Sequence, residues 1–197
     1  WKPFFDGFTP IHAWLETNKP DVVVVFYNDH GLNFFLDKMP TFSVGAAPQY
    51  NNADEGWGIP TVPTFTGEQD LSWHIINQLV DEEFDLTTCQ EMSVDHAFTL
   101  PMALLWPSQV WPVTVVPVCI NTVQFPIPSA KRCYALGEAV GRAINSWHSN
   151  AKVAVLGTGG LSHQLDGERA GFINKEFDLQ FMESLIHDPK WATQFNS

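Results

Sequence analysis

Basic residues are scarce in this chain: 10 Lys and Arg stand against 22 Asp and Glu, a formal net charge of −12. Nucleic acid and anionic membrane surfaces both reward basic patches, so this balance argues against either as a partner. An anionic aromatic acid would need a local cation, which overall charge does not reveal. Cysteine is scarcer still. Cys89, Cys119 and Cys133 are widely spaced, odd in number and form no CxxC pair, which suggests neither a disulfide framework nor a zinc knuckle and points to a reducing, cytoplasmic setting. No apolar run approaches the roughly 20 residues of a membrane-spanning helix, and the start at Trp1 shows no signal-peptide pattern. Internal repeats, low-complexity tracts, charge blocks and HExxH ligand spacing are all missing.

Aromatics, by contrast, are plentiful, with 8 Trp and 15 Phe among 197 residues, enough for one domain with a substantial core. Asp21 to Tyr27 (DVVVVFY) is a continuous β-branched run, the pattern of a strand buried on both faces. Thr9 to Thr17 fits a short helix before it, and Thr41 to Gly45 a second strand after it. Pro48 to Thr66 reads as a long loop, rich in Pro, Gly and Asn and without helical period. Gln69 to Glu82 fits a helix with Leu71, Ile75, Ile76 and Leu79 on its buried side. Phe84 to Thr88 is a candidate strand. Val113 to Ile120 is another, with Pro117 predicting an edge or a bulge. Ser129 is a candidate N-cap for a helix to about Trp147, with Leu136, Val140 and Ile144 on one face. Lys152 to Leu156 reads as a further buried strand and Lys175 to His187 as a last helix. Strands alternating with helices predict an α/β domain with a mixed, largely parallel sheet flanked by helices.

Three histidines fall where a strand gives way to a turn: His30 in Asn28-Asp29-His30, His96 in Asp95-His96, and His163 in Ser162-His163. In open α/β sheets ligands bind outside the carboxyl ends of strands. Neutral imidazole binds borderline metals and exchanges its proton near neutral pH, and iron(II) oxygenases set two His and one carboxylate on one face. These positions are therefore candidates for a metal or acid–base site, although spacing alone does not show that they converge. His12, His74, His148 and His187 read as surface or packing residues. Asp54-Glu55 reads as an acidic, solvated loop tip, with metal binding as the alternative. Gly157-Thr158-Gly159-Gly160 lacks the GK[ST] of a phosphate loop and reads as a tight strand exit. Lys131 and Arg132 read as surface cations at a helix start. A hydrolase built on Ser162 and His163 is disfavoured, because adjacent side chains on a turn rarely face each other and GGLSHQ is not a G-x-S-x-G elbow.

At these residues the chain resembles class III, LigB-type extradiol dioxygenases, and within them the β (catalytic) chains of protocatechuate 4,5-dioxygenases. The resemblance is carried by Tyr27-Asn28-Asp29-His30, Ala53-Asp54-Glu55-Gly56-Trp57-Gly58, Val94-Asp95-His96, Pro126 to Cys133, Gly157 to Leu165 and Ala170 to Asp178, in the same order over nearly the whole chain. The DEGWG segment leans towards protocatechuate rather than gallate or methylgallate enzymes.

The resemblance implies a LigB-like fold and Fe(II)-dependent, O₂-consuming cleavage of a catecholic aromatic acid beside its diol. It implies that His30 is an iron ligand, that Asn28 stands near substrate and O₂, that His163 is the base taking a catechol proton, and that His96 assists proton transfer. It further implies that residues 1–197 are the central part of one catalytic domain. A first histidine ligand would precede them and a glutamate ligand would follow, leaving one of three ligands here, weak or absent iron binding by this chain alone, and the substrate-carboxylate region largely elsewhere. A small α chain and an α₂β₂-type assembly are implied as partners. A non-catalytic LigB-like subunit is the alternative from another class.

Overall fold

A computed structural model describes residues 1–56, 58, 61–108 and 110–195. Trp57 of the DEGWG segment lies outside the described residues, as do Asn196 and Ser197 at the end of the chain. In chain order the elements are α1 (Lys2–Asp6), α2 (Thr9–Asn18), β1 (Val22–Tyr27), β2 (Phe42–Gly45), β3 (Gln49–Asn52), β4 (Phe65–Thr66) and α3 (Gln69–Asp81). They continue with β5 (Thr87–Cys89), β6 (Ser93–Val94), α4 (His96–Leu105), β7 (Thr114–Ile120), α5 (Ala130–Ser146), β8 (Val153–Gly157), α6 (Lys175–His187) and a 3-10 turn (Trp191–Gln194). The main sheet runs β5-β2-β7-β1-β8, and β3 joins β4 and β6 in a small second sheet. Within the main sheet only the β2–β7 pair is antiparallel, so the sheet is mixed and largely parallel, as the sequence predicts. None of the described helices is long and apolar enough to cross a membrane.

The valine run of β1 explains the layering. Side chains alternate across a strand. Val22 and Val24 meet one apolar cluster, with Leu71, Ile75 and Leu79 of α3 and Leu136 and Val140 of α5. Val23, Val25 and Tyr27 meet the other, with Phe98 and Met102 of α4, Trp111, and Tyr50 and Phe65 from the second sheet. Ser129 caps α5 as its sequence suggests, its side chain accepting from the Arg132 N–H at 3.3 Å. Tyr50 is wedged where side chains would not fit: a Cβ on Gly45 would stand 2.7 Å from its hydroxyl, and one on Gly67 would run into the Ala47 carbonyl and the Tyr50 ring.

Several expectations need correction. The segment Pro48 to Thr66 is not all loop, because it contributes β3 and β4. Polar Gln49, Asn51 and Asn52 hide the strand, while Tyr50 alone carries its burial. Pro117 lies in an interior strand, not at an edge. It is tolerated because β2 pairs with β7 only from Val118 onward, while Val115 turns to bridge Gly67, so the junction between them asks for no N–H. Strand β8 is an edge strand pairing with β1, and Val155 is 60% exposed. An apolar run such as KVAVL does not distinguish an edge from an interior position. Helix α4 is a further addition: His96 opens a helix rather than a loop, and Pro101 inside it masks the helical period.

All three cysteines are free, with Cys89 and Cys119 buried. Burial pushes all three thiols above their ordinary range, Cys119 to about 12. Alkylation of the folded chain at about pH 8, below an ordinary thiol's ~8.5, is expected to spare Cys89 and Cys119 until unfolding; rapid labelling of either in the native state would contradict this placement. Phe98 lies 5.3 Å from the Tyr27 ring and 5.4 Å from Phe65, anchoring α4 to the sheet. Phe98→Ala is expected to destabilise the chain by about 3–5 kcal/mol in denaturant unfolding.

Candidate active site

The turn after β1 is built by one side chain. Asp29 Oδ2 accepts from the N–H groups of Gly31, Leu32 and Phe34 at 3.0, 3.2 and 3.0 Å, and Oδ1 accepts from Asn33 at 3.0 Å. Gly31 takes φ +78°, which a side chain would resist. Asn33 then accepts from the Ser93 N–H at 2.9 Å, tying the turn to β6. His30 is held within this frame by Asp95, whose side chain is 0% exposed. Asp95 Oδ2 accepts from the His30 N–H at 2.8 Å and from Nδ1–H of its ring at 2.9 Å. The other oxygen, Oδ1, accepts from the Ala97 N–H at 2.9 Å and caps α4. A single carboxylate therefore fixes both the strand exit and the helix start.

His96, the first residue of α4, is held from elsewhere. Glu55 Oε1 accepts from the His96 N–H at 2.6 Å, and Oε2 accepts from its ring Nδ1–H at 2.6 Å. The His96 and His30 rings stack with centroids 4.4 Å apart and planes 26° apart. The third histidine, His163, sits on the turn after β8. There Ser162 Oγ donates to Asp178 Oδ2 at 2.9 Å, and Asp178 Oδ1 accepts from the Ser162 N–H at 3.0 Å. Ser162 Oγ also accepts from the Asn174 N–H at 2.7 Å, so this hydroxyl serves the turn and is not aligned with His163. The His163 ring donates from Nδ1 to the Leu161 carbonyl at 2.6 Å.

These partners assign the tautomers. Carboxylates and carbonyls only accept, so Nδ1 carries the hydrogen in all three rings, and each neutral imidazole presents its Nε2 lone pair. The Asn28 amide agrees, donating to His30 Nε2 at 3.2 Å. Asn28, His30, His96 and His163 all line one cleft of about 1170 Å³, with apolar Leu100 and Ile173 on its walls. The structure thus brings together all four residues singled out from the sequence.

Among the described residues, His30, Asp95 and His96 bring one donor atom each within 4.8 Å of one another, the only such group of three. Asp95 spends its oxygens on three N–H donors, which makes it a positioning group rather than a free ligand. Asp95, named from the sequence only beside His96, and Glu55, read as part of a loop tip, are the site residues whose roles the sequence does not show. Glu55 in particular is not a solvated loop tip, its side chain being only 11% exposed. The signal available was the DEGWG segment itself, in a loop too polar to show its burial. Arg132 is not simply a surface cation, since its guanidinium lies 5.6 and 5.1 Å from the Phe42 and Phe84 ring centres. The remaining histidines play packing or surface roles: His12 Nε2 meets the Leu104 carbonyl at 2.8 Å, and His74 pairs with the Ser146 hydroxyl at 2.9 Å. Tyr27, near this site, has its phenol pushed well above the usual range, by burial first and then by the charges of Cys119, Asp29 and Asp95. It is therefore a structural group and not a ready proton donor.

Several curated proteins are similar to this chain over most of its length. A gallate dioxygenase of Pseudomonas putida is 45% identical over 143 residues, covering 72% of this chain and 42% of that protein. Enzymes named 2,3-dihydroxyphenylpropionate/2,3-dihydroxicinnamic acid 1,2-dioxygenase are also similar. That of Photorhabdus laumondii is 37% identical over 158 residues (79% and 47% of the two chains), and that of Klebsiella pneumoniae is 38% identical over 148 residues (74% and 44%). The chain thus spans less than half the length of these relatives. The family model described as the catalytic LigB subunit of aromatic ring-opening dioxygenase matches residues 1–195, and the chain belongs to this LigB family.

Proposed function

We propose that this chain is part of a non-haem Fe(II) extradiol dioxygenase that opens the ring of a catecholic aromatic acid with O₂. The observation that carries the reading is that three histidines line one cleft, each with its ring held by an acceptor at Nδ1. Family membership supports ring opening as the reaction class. The relatives' names support an aromatic diol as the substrate class. The chain covers only 42–47% of these relatives, which supports part of a longer catalytic domain, and the family resemblance makes residues 1–197 its central part in this proposal.

His30 fits as an iron ligand. A metal-bound histidine ordinarily donates its other ring N–H to a carboxylate, and His30 does so to a buried one, which leaves Nε2, now accepting from the Asn28 amide at 3.2 Å, as the atom a metal would take. Asp95 is already spent, so the described residues supply the imidazole side of the site and not a complete two-histidine, one-carboxylate face. When bound, Fe(II) would supply Lewis acidity towards the diol and electrons for O₂ activation.

The remaining work falls to this chain's own side chains. His163, with Nδ1–H on the Leu161 carbonyl, accepts a phenolic proton at Nε2; positioned acid–base catalysis of this kind contributes about 10²–10⁴-fold. The stacked rings of His30 and His96 stand together at the cleft, and His96 Nε2 is the second proton-handling atom. Asn28 fixes His30 from the cleft side through its amide. The DEGWG segment supports protocatechuate 4,5-cleavage, whereas the 45% identity to a gallate dioxygenase supports gallate. A small α chain in an α₂β₂-type assembly remains part of the proposal, carried over from the family resemblance.

The test is oxygen uptake with protocatechuate and with gallate after anaerobic Fe(II) loading, on this chain and on a longer natural polypeptide containing it, with and without a candidate α chain. Ring opening of either acid by the longer form supports the proposal and decides the substrate. No uptake by any form would favour a non-catalytic LigB-like subunit. In the active form, His163→Ala is expected to lower turnover about 10²–10⁴-fold with iron content nearly unchanged; equal loss of iron and turnover would make His163 a ligand instead. His30→Ala is expected to lose iron and turnover together, as read by metal analysis.

A further inference from the structure

We propose that Glu55 is a positioning residue for His96, selecting its ring tautomer and aiming Nε2 into the cleft; this rests on the ring-cleavage reading above. Glu55 comes from a segment 41 residues before His96 in the chain, yet both its oxygens are committed to that one residue. The bond to the His96 N–H is the ordinary service of an acid at a helix start. The second bond is not needed for that purpose. Asp95 already caps α4 through the Ala97 N–H, and the Phe98 and Thr99 N–H groups reach the Asp95 carbonyl at 3.1 and 3.0 Å. The Oε2 bond therefore acts on the imidazole alone.

Its chemical consequence is specific. An acceptor at Nδ1 keeps the hydrogen there, so neutral His96 meets the cleft as a proton acceptor and becomes a donor only after it has taken a proton. The ring is also locked in rotation, because its backbone N–H and its Nδ1 are held by the two oxygens of one carboxylate while its face rests on His30. In His30 and His163 the corresponding acceptors are the buried Asp95 and a main-chain carbonyl, so Glu55 is the only one of the three borne by the irregular stretch between β3 and β4.

Glu55→Gln separates the two bonds. Its amide oxygen can keep the His96 N–H, while its NH₂ then faces Nδ1 and favours the opposite tautomer. The expected result by ¹⁵N NMR of the metal-free protein at about pH 8.5, where ordinary imidazoles are neutral, is a hydrogen on Nδ1 of His96 in the wild type and a shift towards Nε2–H in Glu55→Gln, the signal being assigned from His96→Gln. In the iron-loaded active form, kcat is expected to fall on the order of 10–100-fold, with KM and iron content little changed. A wild-type His96 already carrying its hydrogen on Nε2 would overturn the proposal even if no variant folds. So would a Glu55→Gln protein with unaltered kcat. Absence of turnover by every form, wild type included, would count against the ring-cleavage reading, and the wild-type tautomer would still decide the role of Glu55.

Discussion

The site depends on one buried carboxylate. Asp95 accepts from the backbone and ring of His30 and from the first turn of α4, so the exit of the interior strand β1 and the start of α4 are set by the same two oxygens. Hydrogen bonds to a charged group contribute about 1.5–3 kcal/mol each, and a buried acid without them would be strongly destabilising. The bonds therefore leave little freedom to either element. The apolar layer beneath reinforces the lock, since Tyr27 at the end of β1 packs edge-on against Phe98 in α4, with ring centres 5.3 Å apart. Rigid packing below, Asp95 on His30 and Glu55 on His96 together hold the two rings in their stack.

Much of this fold is legible in the sequence, and the failures have physical causes. Strand β1 and helices α3, α5 and α6 are legible because their residues repeat apolar or capping chemistry at the right period, as Val22 to Val25, Leu71-Ile75-Leu79 and Ser129 do. Pro117 misleads because the rule against interior proline assumes that both neighbours pair continuously, and here the pairing changes from β2 to the Gly67 segment at that point. Strand β3 is hidden because only Tyr50 of its four residues is buried. Edge placement of β8 is a property of topology, which an apolar pentapeptide does not encode. At the site, the histidines stand out by their position at turns, but Asp95 and Glu55 do not. A carboxylate acting across 65 or 41 residues leaves no local pattern.

Helix α4 shows how structural and chemical roles share the same side chains. Its first four N–H groups would otherwise be orphans. His96 donates to Glu55, Ala97 to the Asp95 side chain, and Phe98 and Thr99 to the Asp95 carbonyl, which closes the account. The carboxylates that complete the helix are the same ones that hold the Nδ1 atoms of His96 and His30. Stability of the helix start and orientation of the imidazoles therefore arise from the same two carboxylates, through different oxygens of each.

The same arrangement bears on how an anionic aromatic acid would be held. A chain of net charge −12 repels such a ligand, so its carboxylate needs a local cation or a free helix N-terminus. The described residues lining the cleft include no Lys or Arg, and Arg132 is turned onto Phe42 and Phe84. The N-terminus of α4 opens beside the cleft, but Glu55 and Asp95 already take its N–H groups. What these residues offer is instead a set of imidazole acceptors, suited to the hydroxyl-bearing edge of a ring. The physical logic therefore divides the work. Under the proposed function, this part of the polypeptide would handle the diol and its protons, and recognition of the acid end would fall to groups outside the described lining of the cleft.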